Sequence, residues 1–140
     1  MTNLSAPGRG FIAQPRDCDP NVPCTPFGGA IEAIAAEKPD LVITFGGVAD
    51  GDVSISAPSA DYFTALRAAL PDAKLVTLST ITTDPQVPYW VTLHGRSLRE
   101  ATESVGGVYI DLGQLGVGDG ATLSPETQAA IAQSVADQLA

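Results

Sequence analysis

Pro39-Asp40-Leu41-Val42-Ile43-Thr44-Phe45-Gly46-Gly47-Val48-Ala49-Asp50 is the stretch that decides how this chain folds. An unbroken run from Leu41 to Phe45 lies between a Pro-Asp pair and a Gly-Gly pair. It lacks the alternation of a half-solvated strand and suits a parallel sheet covered on both faces. Two more segments read the same way: Lys74-Leu75-Val76-Thr77-Leu78, preceded by Pro71-Asp72, and Val108-Tyr109-Ile110-Asp111-Leu112, preceded by Gly106-Gly107. Around them apolar residues recur at helical spacing. The stripes are Phe27, Ile31, Ile34 and Ala35; Phe63, Leu66 and Leu70; Leu98, Ala101 and Val105; and Ile131, Val135 and Leu139. Strands alternating with helices predict right-handed crossovers and a doubly wound α/β domain. Ligands in such sheets bind outside the carboxyl ends of the strands, here Gly46 to Asp50, Ser79-Thr80, and Leu112 leading to Asp119.

The last connection, Asp119-Gly120-Ala121-Thr122-Leu123-Ser124-Pro125-Glu126-Thr127-Gln128, reads as a strand-to-helix loop that opens with an acid. Ser124 suits the N-cap, and Pro125 suits the first helical position, where a missing N–H costs nothing.

With 140 residues the chain has the size of one domain, residues 1–140, and can bury a real core. No repeat or second domain is visible, and no apolar run approaches the ~20 residues of a membrane span. Met1 to Gly8 holds no basic region and no apolar signal core, so either export does not use that route or the chain begins after its signal. A formal net charge of -9 makes nucleic acid and anionic membrane surfaces poor partners. The seven basic residues are scattered, and only Arg96 and Arg99 lie close together. Cys18 and Cys24 flank a proline-containing loop. That spacing suits a local disulfide in an oxidising compartment, the alternative being two free thiols in the cytosol. A disulfide favours an extracellular, cell-surface or virion setting. The lysine-poor composition, rich in Ala, Gly and Asp, would suit a high-GC actinobacterium or one of its phages.

Three blocks, in order along the chain, resemble those of the SGNH (GDSL-type) hydrolases. Asn3-Leu4-Ser5-Ala6-Pro7-Gly8-Arg9-Gly10 is similar to the second block, with Gly8 at the oxyanion-hole glycine. Pro39 to Asp50 resembles the third, where a buried strand runs into Gly-x-Asn-Asp. Val108 to Leu112 followed by Asp119 to Gln128 resembles the last, whose pattern is Asp-x-x-His. The resemblance implies a three-layer, flavodoxin-like parallel sheet with helices on both faces, the first family strand missing. It also implies an ester-hydrolysing chemistry: a serine nucleophile, a histidine base oriented by an aspartate, and an oxyanion hole.

Most of that chemistry does not map onto this sequence. No Gly-Asp-Ser occurs, Ala49 replaces the asparagine, and Thr122 replaces the histidine, leaving Asp119 as the catalytic remnant. Losing one oxyanion donor costs ~10²–10³ in rate, and losing a triad member costs ~10⁴–10⁶. The expectation is therefore a non-catalytic domain serving assembly or binding a glycan or acylated ligand, with no cofactor. The positions expected at the ligand are Gly8, Gly47, Asp50, Asp119 and Thr122. The alternative is an esterase or deacetylase completed by an upstream segment or a partner chain.

Other features have plainer readings. Asp50, Asp52 and Asp119 could together hold a hard cation, but a solvated acidic loop with a turn-capping aspartate is the preferred reading and no metal is expected. His94 is read as structural and distant from Asp119. Ser79, Thr80, Thr82 and Thr83 are read as loop hydrogen-bonding groups, and Tyr89 and Trp90 as completing the core rather than forming an aromatic platform. Without the first family strand, the Leu41–Phe45 strand would have an unpaired apolar edge. Gly10-Phe11-Ile12-Ala13, a second copy in a homo-oligomer, or a partner chain could cover it.

Overall fold

The computed structural model describes residues 1–140. Three parallel strands, β1 (Leu41–Thr44), β2 (Lys74–Leu78) and β3 (Val108–Ile110), form one sheet in the order β1-β2-β3. Val42 pairs with Leu75 and Ile43 with Val76, while Val76 pairs with Val108 and Leu78 with Ile110. Helix α1 (Ile31–Ala36), entered through a 3-10 turn at Phe27–Ala30, precedes β1. Helices α2 (Ser56–Ala69), α3 (Tyr89–Ser104) and α4 (Pro125–Leu139) follow β1, β2 and β3 in turn.

The strand side chains sort onto two faces because successive residues point to opposite sides. On one face Val42 and Leu75 pack with Tyr62, Phe63 and Leu66 of α2 and with Leu98 and Ala101 of α3. Phe27, Ile31 and Ile34 pack against that cluster only half-buried. Buried hydroxyls pair across the same face, Thr44 with Tyr62 at 2.9 Å and Thr102 with Thr77 at 2.9 Å. On the other face Val76, Leu78 and Ile110 pack with Ile131 of α4, flanked by Leu123, Val135 and Leu139. The domain is thus α/β, with a helix layer on each side of a parallel sheet.

The two layers are unequal. Helix α4 covers β2 and β3, whereas Leu41, Ile43 and Phe45 on the same side are 42%, 46% and 38% exposed. β1 is also an edge strand. The sequence expectation of a strand covered on both faces therefore holds for β2 and fails for β1. Gly10–Ala13 does not fill the slot beside it. Phe11 turns the other way, into the α2-side core, with its ring 4.9 Å from Phe27 and 5.7 Å from Tyr62 between centroids.

What holds that segment is Asp50, at the carboxyl end of β1. Its buried carboxylate accepts the main-chain N–H of Phe11 at 2.8 Å, of Ile12 at 2.9 Å and of Ala13 at 2.8 Å. The backbone lies so close to the carboxylate that a Cβ at Gly10 would collide with both oxygens. Charge-assisted bonds of this kind are worth ~1.5–3 kcal/mol each, and a buried N–H left unpaired costs ~1–3 kcal/mol. Asp50→Ala is therefore expected to destabilise the domain by about 3 kcal/mol or more in urea unfolding. Gly10→Ala destabilises as well, but the double variant is expected to be no less stable than Asp50→Ala alone, because removing the carboxylate removes the clash. Full additivity would refute this coupling.

Candidate functional site

A cleft of about 750 Å³ opens at the carboxyl ends of β1 and β2, within the ~300–1,000 Å³ range of small-molecule sites. Three segments wall it: the loop from Ala6 to Arg16, the turn Phe45–Ala49 after β1, and Ile81–Asp84 after β2. Ala121, Thr122 and Leu123, ahead of α4, close it. Its lining is partly apolar, with Phe45, Val48, Ile81 and Leu123, and partly polar, with Gln14, Arg16, Thr82, Thr83, Asp84 and Thr122.

Each wall is fixed by a few buried polar groups. Gly47 has φ 110° and is packed so tightly that a Cβ would meet the Thr80 hydroxyl at 2.6 Å. A side chain there would be both strained and obstructed. The Thr80 hydroxyl donates to the Gly46 carbonyl at 3.0 Å, tying the β1 turn to the end of β2. Ser79 accepts the N–H of Leu112 at 2.9 Å, and the Thr82 hydroxyl accepts that of Asp84 at 3.0 Å. These hydroxyls act as loop hydrogen-bonding groups.

The Ala6–Arg16 wall hangs on Arg9. Its guanidinium is buried and donates to the carbonyls of Thr25 (2.9 Å), Leu4 and Pro23. Burial, opposed by the nearby Tyr62, lowers the Arg9 pKa. Two of those acceptors flank Cys24, which is disulfide-bonded to Cys18 with the Cα atoms 5.4 Å apart. The disulfide and the Arg9 clamp thus brace one loop together, an arrangement compatible with an extracellular setting. Tyr62, deep in the adjoining core, has its pKa raised by burial, against the effects of the Thr44 hydrogen bond and of Arg9.

The positions singled out in the sequence divide cleanly. Gly8, Gly47, Ala49 and Thr122, far apart in the chain, line the cleft together. Asp50 and Asp119 do not, because main-chain N–H groups hold both carboxylates. Asp50 binds Phe11, Ile12 and Ala13, and Asp119 accepts the N–H of Ser124 at 2.9 Å. Asp119 therefore braces the start of α4, where Ser124 is the N-cap and accepts the N–H of Thr127 at 3.1 Å. Asp50, Asp52 and Asp119 do not assemble a cation site, since no three acidic, histidine or cysteine side chains are grouped to hold one.

His94 is only 2% exposed and lies on α3, outside the cleft lining. Its Nε2 is 2.7 Å from the Gly51 carbonyl; a carbonyl can only accept, so Nε2 carries the proton. Trp90 is half-buried against the His94 ring at 5.2 Å. Tyr89 is 72% exposed, and Trp90, set against His94, joins neither core cluster, so the expectation that the two complete the core is not met. Sequence reasoning missed Arg9, and it gave Thr80 its hydrogen-bonding role without its partner. Their partners are main-chain carbonyls many residues away, and no local pattern marks such pairings.

The Ser124 N–H, followed by the Thr127 and Ser124 hydroxyls, lowers the pKa of Asp119 from its ordinary 3.8 despite an opposing desolvation effect. A carboxylate with a depressed folded-state pKa stabilises the fold above its unfolded pKa, and that contribution fades as pH falls through the folded value. Asp119→Asn is therefore expected to lower the melting temperature at neutral pH, with the gap to the parent chain closing in strong acid. A gap that is constant from pH 7 down to pH 2 would contradict the assignment.

Comparison with known proteins finds no matching family model, no similar curated protein and no similar solved structure.

Proposed function

We propose that this chain is a non-catalytic, SGNH-hydrolase-like domain whose cleft binds a glycan or an acylated ligand, in a setting of assembly at a virion or cell surface. The observation that carries the reading is the convergence of Gly8, Gly47, Ala49 and Thr122 on one cleft. The resemblance assigns Gly8 and position 49 to oxyanion stabilisation and position 122 to the base, and the last two hold side chains unable to do that chemistry. Alanine at position 49 donates no side-chain hydrogen bond, and a threonine hydroxyl is no base near neutral pH. The histidine the chain does have is buried against Gly51. A lining that mixes apolar side chains with hydroxyl, amide and charged groups suits a ligand with both ring or acyl surface and hydroxyls.

p-Nitrophenyl acetate and butyrate are expected to be hydrolysed no faster than in buffer, with no change in Asp119→Ala. Binding in a screen of acetylated and unmodified glycans is expected to be lost in Thr122→Trp, which fills the cleft from an exposed loop. Ester turnover abolished by Asp119→Ala would sink the non-catalytic reading.

One observation favours the second reading, an esterase or deacetylase completed by an upstream segment or a partner chain. The free edge of β1 ends at Phe45–Ala49, which is itself cleft wall. A parallel strand added there would carry its own carboxyl-end turn to the same place. Light scattering tests whether the edge is covered. Association in solution that Ile43→Lys abolishes without unfolding the chain supports strand addition, and a monomer at all concentrations removes self-association as the cover.

A further inference from the structure

Seven basic side chains serve a chain of net charge -9, and the fold employs them unevenly. Arg9 donates to three carbonyls beside the disulfide, and Arg67 donates to those of Val105, Leu70, Pro71 and Ala73. Arg96 and Arg99 bond to nothing in the chain, yet both line a second groove, of about 370 Å³, at the carboxyl ends of β2 and β3. It is separate from the cleft described above and shares none of its lining residues.

The groove is built around Tyr109. α3 passes the phenol at Gly95, where a Cβ would meet the hydroxyl at 3.0 Å. The Arg99 guanidinium lies over the ring, 4.9 Å from its centroid, an arrangement that holds the cation by its flat face and leaves its N–H edge free. Arg96 lines the same wall one turn back along the helix, on the same side as Arg99. Ser79, on the floor, is already engaged through its bond from Leu112. Asp111 stands across from the helix, with one oxygen accepting the N–H of Gly113 at 2.8 Å. Glu100 and Glu103 follow the two arginines by one helical turn but line no part of the groove, and pairing between such exposed side chains is weak in water.

Charged donors therefore outnumber charged acceptors here: two guanidinium groups, each with five N–H bonds, stand with one carboxylate, and the Tyr109 hydroxyl lies beside them. Burial, and next Asp111, raise the Tyr109 pKa against the pull of Arg99 and Ser79, so the phenol remains a neutral donor at physiological pH. We propose that the groove formed by Arg96, Arg99 and Tyr109 binds a tetrahedral oxyanion, either free phosphate or sulfate or the same group as an ester on a small molecule. Guanidinium edges match phosphoryl and sulfuryl oxygens in pairs, and Asp111 weakens the site by like-charge repulsion without closing it. The proposal is independent of the function read from the larger cleft.

The test is a titration of the full chain with inorganic phosphate at constant ionic strength, read from the amide resonances of Gly95 and Gly113. Saturable shifts at both are expected, with a dissociation constant on the order of 1 mM. Arg96→Gln with Arg99→Gln is expected to weaken binding at least about tenfold, and Asp111→Asn to tighten it severalfold, since opposite and like charges act in opposite directions. Both positions are exposed, so the variants are expected to fold, which a parent-like spectrum elsewhere verifies. Glucose 6-phosphate binding more tightly than phosphate, with glucose silent, identifies an ester as the ligand; equal binding of the two phosphates identifies the free anion. Shifts that stay linear with concentration, a double variant that binds like the parent, or binding of glucose as tight as that of its phosphate would overturn the proposal.

Discussion

Three main-chain N–H groups converge on the Asp50 carboxylate, and the shape of the cleft depends on that convergence. Residues 11–13 form no helix or strand with the sheet, so their N–H groups need a partner from elsewhere. Asp50 supplies it from the turn after β1. The bond set fixes the direction of the Phe11 ring, which enters the core against Phe27, Tyr62 and Phe63. It also fixes where the preceding residues, Ala6 to Gly10, run across the open end of the sheet. Arg9 and the Cys18–Cys24 link then brace the far side of the same loop. An irregular wall is thereby held by a carboxylate, a guanidinium and a disulfide in place of a strand ladder.

The two acids nearest the supposed chemistry are thus structural for the same physical reason. A carboxylate beside free main-chain N–H groups at a turn or helix start is stabilised as an ion and holds the backbone in return. Asp50 does this for an extended loop, and Asp119 for the first turn of α4. Both Asp50 oxygens are engaged in this way, and one oxygen of Asp119 is. What lines the cleft is instead Ala49, one residue before Asp50, and Thr122, three residues after Asp119, whose side chains offer a methyl and a hydroxyl.

Much of the fold was legible because it is written in local pattern. The runs Leu41–Phe45, Lys74–Leu78 and Val108–Leu112 gave strands, and Ser124-Pro125 gave the start of α4, capped by the hydroxyl that the pairing implied. The α3 stripe was caught only in part: Leu98 and Ala101 are buried, but so are Val91, His94 and Thr102, the last because its hydroxyl meets Thr77 across the sheet. Long-range polar pairing was illegible. Asp50 looked like a loop acid because its partners lie 37 to 39 residues earlier. Arg96 and Arg99 looked like an isolated pair, because only the packing of α3 over β3 brings Tyr109 beneath them.

The sheet's asymmetry links the cleft to what surrounds the domain. Three helices crowd one face, while a single helix serves the other and reaches only β2 and β3. The uncovered strip of Leu41, Ile43 and Phe45 runs along the free edge of β1, and its last residue also lines the cleft. Burying such a strip is worth roughly 25 cal/mol per Å² of apolar surface, and the edge offers unpaired N–H and C=O groups to the same occupant. Any chain that pairs with β1 would stand beside Phe45 and Val48 and become part of the cleft. Under the proposed function, pairing at this edge and ligand binding would for that reason be coupled. An edge-covering partner would reshape the site from the β1 side, while the Asp50–Arg9 brace holds the opposite wall fixed.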